Sequence, residues 1–148
     1  MNTNLIFSSF DIQEFVNYQS WFEDKVLAAT LGGIDEEWLD YILEDTTGEE
    51  YAVRRGSELV AVVGVVLPTV VDNYFVISNI AVRPDLRGTG LASEVLQGLL
   101  LRTTLSIDQF WLAYVSPNNK IAQAFFKKNN WQLKADSLKE DMLRYRAK

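Results

Sequence analysis

The stretch from Val76 to Leu101 limits the possible folds of this chain more than any other part of the sequence. It contains an apolar strand, a loop with two glycines and an amphipathic helix, and it leads to a second apolar strand, Phe110 to Val115. A helix that connects two strands of one sheet has to cross back over that sheet, so the two strands run parallel. The sequence therefore predicts a layered fold of helices and strands with a parallel pair.

The loop between that strand and its helix, residues 83–90, is suited to binding an anion. Arg87 supplies a positive charge, and Gly88 and Gly90 can adopt positive φ and let a ligand approach the backbone. The first amides of the following helix have no partner within the helix, and they carry the positive end of its dipole. Together these features indicate a phosphate-binding loop.

Two common phosphate-binding designs do not match this loop. A nucleoside-triphosphate loop continues with Lys and then Ser or Thr after its last Gly, where this chain has Leu91 and Ala92. A dinucleotide-binding turn begins with a Gly directly after its strand, whereas residues 83–87 separate Val82 from Gly88. Both designs are rejected. A plain glycine turn into an amphipathic helix, without any ligand, stays open as the simpler interpretation.

The absence of two residue types restricts the chemistry. The chain has no Cys and no His, so it has no disulfide, no thiolate zinc site and no imidazole base. We therefore expect no metal site, and any catalysis must use carboxylates, Lys, Tyr, backbone dipoles, water or a cofactor. Transfer of a group from an already activated thioester satisfies this restriction.

Length and charge narrow the class of protein further. The 148 residues suit one domain, residues 1–148, and no apolar run approaches the roughly 20 residues that cross a membrane. The N-terminus lacks a secretory signal, so we expect a cytoplasmic protein that does not engage membranes. The net charge of −6 disfavours nucleic acid as a partner and mildly favours a cationic one. Ordinary solubility explains the acidity equally well.

The N-terminal region predicts two helices, from Ile12 to about Leu31 and from about Glu36 to Glu44. Asp11 and Asp35 stand where helix-capping residues are expected. Acidic side chains and aromatic rings on these helices suit a cationic ligand, but solvated acidic faces are the favoured interpretation, because helix starts favour acids for dipole reasons alone. The acidic residues are Glu23, Asp24, Glu36, Glu37 and Asp40, near Trp21, Phe22 and Trp38.

The other strands follow from apolar runs and turns. Residues 50–54 and 59–67 predict a hairpin, and the second of these runs is apolar on both faces, as in a central strand. Residues 116–128 predict a helix that ends at Asn129 and Asn130. Two closing strands are expected at 131–133 and 141–146, with Asp136 and Ser137 starting the connection between them.

Two segments resemble a known family. The phosphate loop, with its Arg-x-x-Gly-x-Ala pattern from Arg87 to Ala92, resembles motif A of the GCN5-related N-acetyltransferases (GNAT). Residues 119–131 are similar to the second motif, Asn-x-x-Ala-x-x-x-Tyr-x-x-x-Gly-Phe. The resemblance covers nearly the whole chain. It implies an α+β fold with a mixed, mostly antiparallel sheet of about six or seven strands, splayed between the fourth and fifth strands and flanked by about four helices.

The resemblance also implies a co-substrate and its contacts. Acetyl-coenzyme A would place its pyrophosphate on the loop and its pantetheine arm along the motif A strand. Asn119 matches the polar residue beside the pantetheine, although a helix cap is an equally open role for it. The expected cofactor-binding residues are Ile80, Ala81, Val82, Arg87, Gly88, Thr89, Gly90, Leu91, Ala92, Asn119 and Phe126.

The chain departs from the family at the catalytic positions. Phe126 replaces the Tyr that protonates the departing thiolate in many members, and Ser78 and Asn79 occupy the part of the strand where a Glu base is frequent. A thiol of pKa near 8.5 leaves tolerably as thiolate, so the missing acid does not forbid transfer. The provisional catalytic residues are Ser78, Asn79 and Tyr114, with a water-mediated path to Glu or Asp left open.

The expected function is therefore an acetyl-coenzyme A-dependent N-acetyltransferase. It would move an acetyl group to a primary amine by direct attack in a ternary complex, because a chain without Cys or His offers a poor covalent route. The acceptor is expected to be a small-molecule or peptide amine, and the protein a monomer or homodimer. The alternatives are a non-catalytic acyl-coenzyme A sensor or interaction domain, and a structural domain that binds no cofactor.

Overall fold

The structure is a computed structural model that describes residues 4–134 and 142–147. Within these residues there are five α-helices and seven strands. They are β1 (Leu5–Ser9), α1 (Ile12–Ser20), α2 (Lys25–Leu31), α3 (Glu36–Glu44), β2 (Gly48–Arg55), β3 (Glu58–Val66), β4 (Phe75–Val82), α4 (Leu91–Arg102), β5 (Trp111–Val115), α5 (Lys120–Lys128), β6 (Gln132–Lys134) and β7 (Leu143–Arg146).

All seven of these strands form one sheet in the order β1-β2-β3-β4-β5-β7-β6. β4 and β5 are parallel, whereas β1 with β2, β5 with β7 and β6 with β7 are antiparallel. The parallel pairing joins 75–77 to 111–113, the first three residues of each strand. The predicted mixed, mostly antiparallel sheet is confirmed. The splay of β4 and β5 beyond this pairing stays a prediction.

The described residues group into two compact units. Residues up to 64 together with 79–102 form the first, and residues 65–78 together with those from 103 onward form the second. The single domain over 1–148 stays a prediction. Asp136, Ser137 and Asp141, which the sequence assigns to the last connection and strand, lie outside the described residues.

The predicted helix from Ile12 to Leu31 is wrong in one respect, because it consists of two helices. A 3-10 turn at Trp21–Glu23 follows α1, and Asp24 is extended, with φ −70° and ψ 126°. The Asp24 carboxylate accepts hydrogen bonds from the amides of Val26 and Leu27, both at 3.1 Å. This cap starts α2 anew, since a side chain that satisfies helix-start amides favours a boundary there.

Aromatic rings dominate the core of the first unit. The ring of Tyr18, 1% exposed, lies within 5.1 to 5.6 Å of the rings of Phe10, Trp21, Phe22 and Trp38. Most of these contacts are edge-to-face, an arrangement that adds stability beyond the apolar area buried. The N-terminal helices therefore use their aromatic faces to cover the sheet.

In the second unit, α5 packs on the sheet through Phe126. Its ring stacks on Tyr145 of β7 at 5.8 Å between centroids and contacts Trp131 at 4.9 Å. The helix ends at Asn129 and Asn130 as predicted, and Asn130 has φ 68°, the left-handed conformation that commonly follows a helix. Among the described helices, none combines the length and the apolar character needed to span a bilayer.

Candidate functional site

The phosphate loop, residues 83–90, connects β4 to α4. No other described residue packs over the Cα atoms of its two glycines. Gly88 and Gly90 have φ of +76° and +85°, and an added Cβ would meet no other atom within 4 Å at either position. Positive φ explains why glycine stands at both places, because side chains strain this conformation. The space in front of the loop is open to a ligand, which fits the approach of a phosphate to the backbone.

Arg87, the cation predicted to bind phosphate, is held by a carboxylate. Its Nη1 and Nη2 donate to Asp24 Oδ1 and Oδ2 at 3.1 and 2.5 Å. The hydrogen bond from Arg87, and after it the amide of Leu27, lowers the pKa of Asp24 to about 2. An anion on the loop would therefore compete with Asp24 for this guanidinium, or share it.

The other predicted loop residues close the turn or begin α4. Thr89 Oγ1 donates to the Leu86 carbonyl at 2.6 Å, which closes the turn. Leu91, 2% exposed, belongs to the core at the start of α4, and Ala92 follows it in the first turn. The first amides of a helix are those that lack intrahelical acceptors, so these residues can offer N–H groups to a phosphate.

The end of β4 carries the residues predicted to run along the pantetheine. Ala81 is fully buried, while Ile80 and Val82 are partly buried. Because the side chains of residues 80–82 are buried or partly buried, an extended ligand would bind this segment through its backbone N–H and C=O groups. Their contact with a cofactor stays a prediction.

A carboxylate that the sequence analysis missed lies beside this strand. Asn79 Nδ2 donates to Glu50 Oε2 at 3.0 Å, although β3 separates β2 from β4 in the sheet. Burial raises the pKa of Glu50 to about 7, against the opposing hydrogen bond from Asn79, and the charges of Glu49 and Asp45 add to the rise. A carboxyl group with this pKa exchanges its proton near neutral pH.

Nothing in the sequence singles out Glu50 from the other acidic residues. It begins a strand-like run, and its hydrogen-bond partner stands 29 positions away along the chain. The nearby Tyr18 hydroxyl also has a raised pKa, mainly through burial and then through the charge of Glu50. Burial at the start of β2 therefore distinguishes Glu50 from the other acidic residues by raising its pKa.

In the second unit, the predicted catalytic residues Ser78 and Tyr114 have different surroundings. Ser78 is exposed on β4. Tyr114 lies on β5 and is hydrogen-bonded to Tyr74, an interaction that raises the pKa of Tyr74. The structure thus places Asn79 with Glu50 in the first unit, and Ser78 and Tyr114 in the second.

Asn119 and Phe126 have structural roles in α5. The Asn119 side chain caps the helix by accepting from the Ala122 amide at 3.0 Å, which is one of the two roles that the sequence left open. Phe126 is 6% exposed and contributes its ring to the core. Their contact with pantetheine stays a prediction.

Four of the five acidic residues named on the N-terminal helices are exposed: Glu23, Glu36, Glu37 and Asp40. Asp24 is paired with Arg87 and caps α2, and Asp35 caps α3 through the Trp38 amide at 2.9 Å. Trp21 is buried, and Trp38 is packed into the core. This arrangement favours the structural interpretation of these helices. Within the described residues, no group of three or more acidic side chains could hold a metal ion.

Comparison with known proteins supplies the family. A sequence model of the acetyltransferase (GNAT) family matches residues 12–131. Over 75 residues, 51% of this chain, the sequence is 35% identical to L-2,4-diaminobutyric acid acetyltransferase from Halalkalibacterium halodurans. The match spans 40% of that relative, so it does not extend to the relative's whole length.

Solved structures share the fold. An acetyltransferase from Thermus thermophilus superposes with a TM-score of 0.79 at 17% identity, covering 97% of this chain and 96% of that one. Spermidine N-acetyltransferase from Vibrio cholerae, in complex with CoA and spermine, gives a TM-score of 0.73 at 12% identity over 98% and 94%. The family match over most of the chain, together with this fold, shows that the chain belongs to the acetyltransferase (GNAT) family.

Proposed function

We propose that this protein is an N-acetyltransferase that moves an acetyl group from acetyl-coenzyme A to a primary amine. Transfer occurs by direct attack of the amine within a ternary complex. The family supports the reaction class, and the chain's lack of Cys and His supports a route without an acyl-enzyme. The hydrogen-bonded pair of Glu50 and Asn79 carries the mechanism.

The phosphate loop fits the co-substrate. The open space in front of Gly88 and Gly90 admits a pyrophosphate, and the amides at the start of α4 would hold it together with Arg87. Ile80, Ala81 and Val82 would hold the pantetheine arm through their backbone. Bound acetyl-coenzyme A supplies a thioester already activated for acyl transfer.

Glu50 acts as the general base. An alkylamine has a pKa near 10 and has to lose a proton before or during attack, and a carboxylate with a pKa about 7 can accept that proton, directly or through one water, at neutral pH. The Asn79 amide orients the carboxylate by donating to Oε2. Asn79 is thus a positioning residue.

Departure of coenzyme A proceeds without a phenolic acid at position 126. Phe126 has no proton to give, and the thiol, whose pKa is near 8.5, leaves as the thiolate. General acid catalysis typically contributes about 10²-fold or more, so its absence at this position lowers the rate without abolishing the reaction.

The decisive experiment measures acceptor-dependent thiol release across a panel of primary amines. L-2,4-diaminobutyrate and spermidine belong in this panel, because related proteins bear their names. Glu50→Gln should lower kcat/KM by about 10² to 10⁴ and remove the fall in rate below pH 7. Glu49→Gln is the matched control: the fall in rate at low pH should persist, moved slightly to lower pH because the charge of Glu49 helps to raise the pKa of Glu50.

Asn79→Ala provides an independent test of the same pair. The Asn79 hydrogen bond lowers the pKa of Glu50, so its loss should move the limb of the pH–rate profile to higher pH. A profile that is unchanged in both Glu50→Gln and Asn79→Ala would assign the proton transfer to another group.

A non-catalytic sensor of acyl-coenzyme A is the second candidate. The observation in its favour is that Phe126 and Asn119 serve the core and the helix cap. Coenzyme A binding by calorimetry with no thiol release for any amine would establish the sensor. An isolable acetyl adduct on a Ser before acceptor is added would instead contradict direct transfer.

A further inference from the structure

The phosphate loop carries two arginines, and both are paired with carboxylates of the first unit. Arg83 Nε donates to Asp85 Oδ1 at 2.7 Å, and its Nη1 lies 3.7 Å from Glu58 Oε2. Arg87 donates to Asp24, which stands 63 positions earlier and caps α2. A phosphate that binds this loop therefore meets cations that already have an anionic partner.

The pair of Arg87 and Asp24 has good geometry but is open to solvent. Nη1 and Nη2 donate to Oδ1 and Oδ2 at 3.1 and 2.5 Å, the two-pronged arrangement that suits a guanidinium and a carboxylate. The Arg87 side chain is 41% exposed and that of Asp24 is 25% exposed. Water screens the attraction between such groups, so the pair is weaker than a buried one and another anion can replace the carboxylate.

Asp24 keeps hydrogen-bond partners if Arg87 leaves it. Its Oδ2 also accepts from the amides of Val26 and Leu27, both at 3.1 Å, which are among the unpaired amides at the start of α2. The hydrogen bond from Arg87, and after it the Leu27 amide, holds the pKa of Asp24 at about 2, so the carboxylate is negative at neutral pH. The helix start therefore continues to stabilise this charge without the guanidinium.

Arg83 is a different case, because its partner belongs to the same loop. Asp85 follows it by two positions, and the Arg83 side chain is 26% exposed, less than that of Arg87. The pair of Arg87 and Asp24 instead joins the loop to a separate helix. Arg87 is thus the loop cation whose partner can be exchanged without rearranging the loop itself.

We propose that Asp24 competes with the co-substrate for Arg87, and that it thereby weakens coenzyme A binding and speeds its release. The inference rests on the proposed acetyl transfer, in which the loop holds the pyrophosphate. On binding, phosphate oxygens replace the carboxylate as acceptors of the Arg87 hydrogen bonds, and Asp24 keeps the amides of α2. On departure, the carboxylate takes the guanidinium back. Because product release limits turnover in many enzymes, an internal competitor of this kind favours exchange of the spent co-substrate.

Asp24→Asn tests the proposal with the helix cap kept, because Asn caps a helix about as well as Asp. Coenzyme A affinity, measured by calorimetry, should rise about threefold to fivefold, the range expected from an exposed ion pair. A fluorescent coenzyme A, chased with unlabelled coenzyme A in a stopped-flow instrument, should dissociate more slowly by a similar factor. Unchanged or weaker affinity would overturn the proposal, and an unchanged dissociation rate would overturn the role in release.

Asp35→Asn is the matched control. Asp35 caps α3 by accepting from the Trp38 amide at 2.9 Å, and the ion pairs among residues 4–134 and 142–147 do not include it. The substitution removes the same charge from the N-terminal helices and keeps the same kind of cap, so coenzyme A affinity should stay unchanged. An equal gain in Asp35→Asn would assign the effect to net charge and contradict the competition.

A double-mutant cycle with Arg87→Met shows whether the competition is for this guanidinium. The gain in affinity from Asp24→Asn should shrink toward one in the Arg87→Met background, because the two residues act through one contact. A gain of equal size in both backgrounds would show that the carboxylate repels the phosphates directly, which would overturn the proposal.

These measurements do not require acyl transfer, so they separate this proposal from the proposed function. Absence of thiol release for every amine would defeat the acetyltransferase, whereas tighter coenzyme A binding in Asp24→Asn would still support the competition. Thiol release by the wild-type protein together with equal coenzyme A affinity in Asp24→Asn would overturn the competition alone.

Discussion

The phosphate loop in the first unit and the segment 119–131 in the second use their residues in opposite ways. In the loop, Gly88 and Gly90 make no packing contact where a side chain would begin, and the backbone remains open. In the segment, Asn119 caps α5 and Phe126 fills the core. A sequence motif can therefore mark either an exposed backbone that can bind a ligand or side chains that hold a helix in place.

The largest effect that tests this contrast is on stability. Phe126→Ala should lower the free energy of unfolding by about 3 to 5 kcal/mol, because it removes a buried ring stacked on Tyr145. Urea titration measures the change. Phe125→Ala is the matched control, since that neighbouring ring is only partly buried and should cost less. Equal losses in the two variants would contradict the assignment of Phe126 to the core.

On the loop, substitution should act on ligand binding. Gly90→Val should weaken coenzyme A binding about 100-fold, as expected if the branched side chain removes two charge-assisted contacts between phosphate and backbone. Calorimetry measures the affinity. The strain at φ +85° costs roughly 1 to 2 kcal/mol of stability as well.

Gly56→Val is the matched control for that strain. Gly56 has φ +65°, and an added Cβ there also meets nothing within 4 Å, but the residue lies in the turn between β2 and β3. It should therefore lower stability by a similar amount and leave coenzyme A affinity unchanged. Unchanged affinity in Gly90→Val would mean that the loop does not hold the phosphates.

Glu50 should make the stability of the protein depend on pH. Its pKa is raised from 4.5 to about 7 in the folded state, so the protonated form is favoured by folding. This contribution is fully present below pH 4.5 and is lost as pH rises through 7. We expect unfolding free energy to fall by about 2 kcal/mol over that range, which is less than the full shift implies because Glu50 is partly exposed.

Urea titrations of the wild-type protein and Glu50→Gln at pH 4.5, 6 and 7.5 measure this dependence. The variant should lose most of the fall in stability, because an amide does not ionise. Glu49→Gln should retain it. A stability that rises with pH through Glu50 would show that its pKa is lowered by folding, which would also weaken its assignment as the general base.

The smallest effect concerns the cap of α5. Asn119→Ala should cost about 1 kcal/mol of stability, the usual value for a lost cap, whereas Asn118→Ala should cost little. Asn119→Asp keeps the cap and should restore stability. A loss of coenzyme A affinity beyond tenfold in the stable Asn119→Asp variant would show that the amide binds the pantetheine as well.

Local features of the sequence predicted most of the fold. The order of the elements follows from apolar periodicity, glycine turns and capping residues, which act over a few positions. The break at Asp24 was missed because an apolar pattern continues on both sides of it, while Arg87, far along the chain, pairs with the same carboxylate that caps α2.

The sequence by itself determined the chemistry that is possible. Without Cys or His, no imidazole base or cysteine thiol can act, and the glycines at positions 88 and 90 allow the loop to adopt positive φ. Only the tertiary structure decided which acidic residue has a raised pKa and which carboxylate pairs with Arg87. Glu50 depends on burial and on Asn79, and Asp24 meets Arg87 across 63 positions of the chain. Burial and packing join residues that are distant along the chain, and no local pattern encodes them.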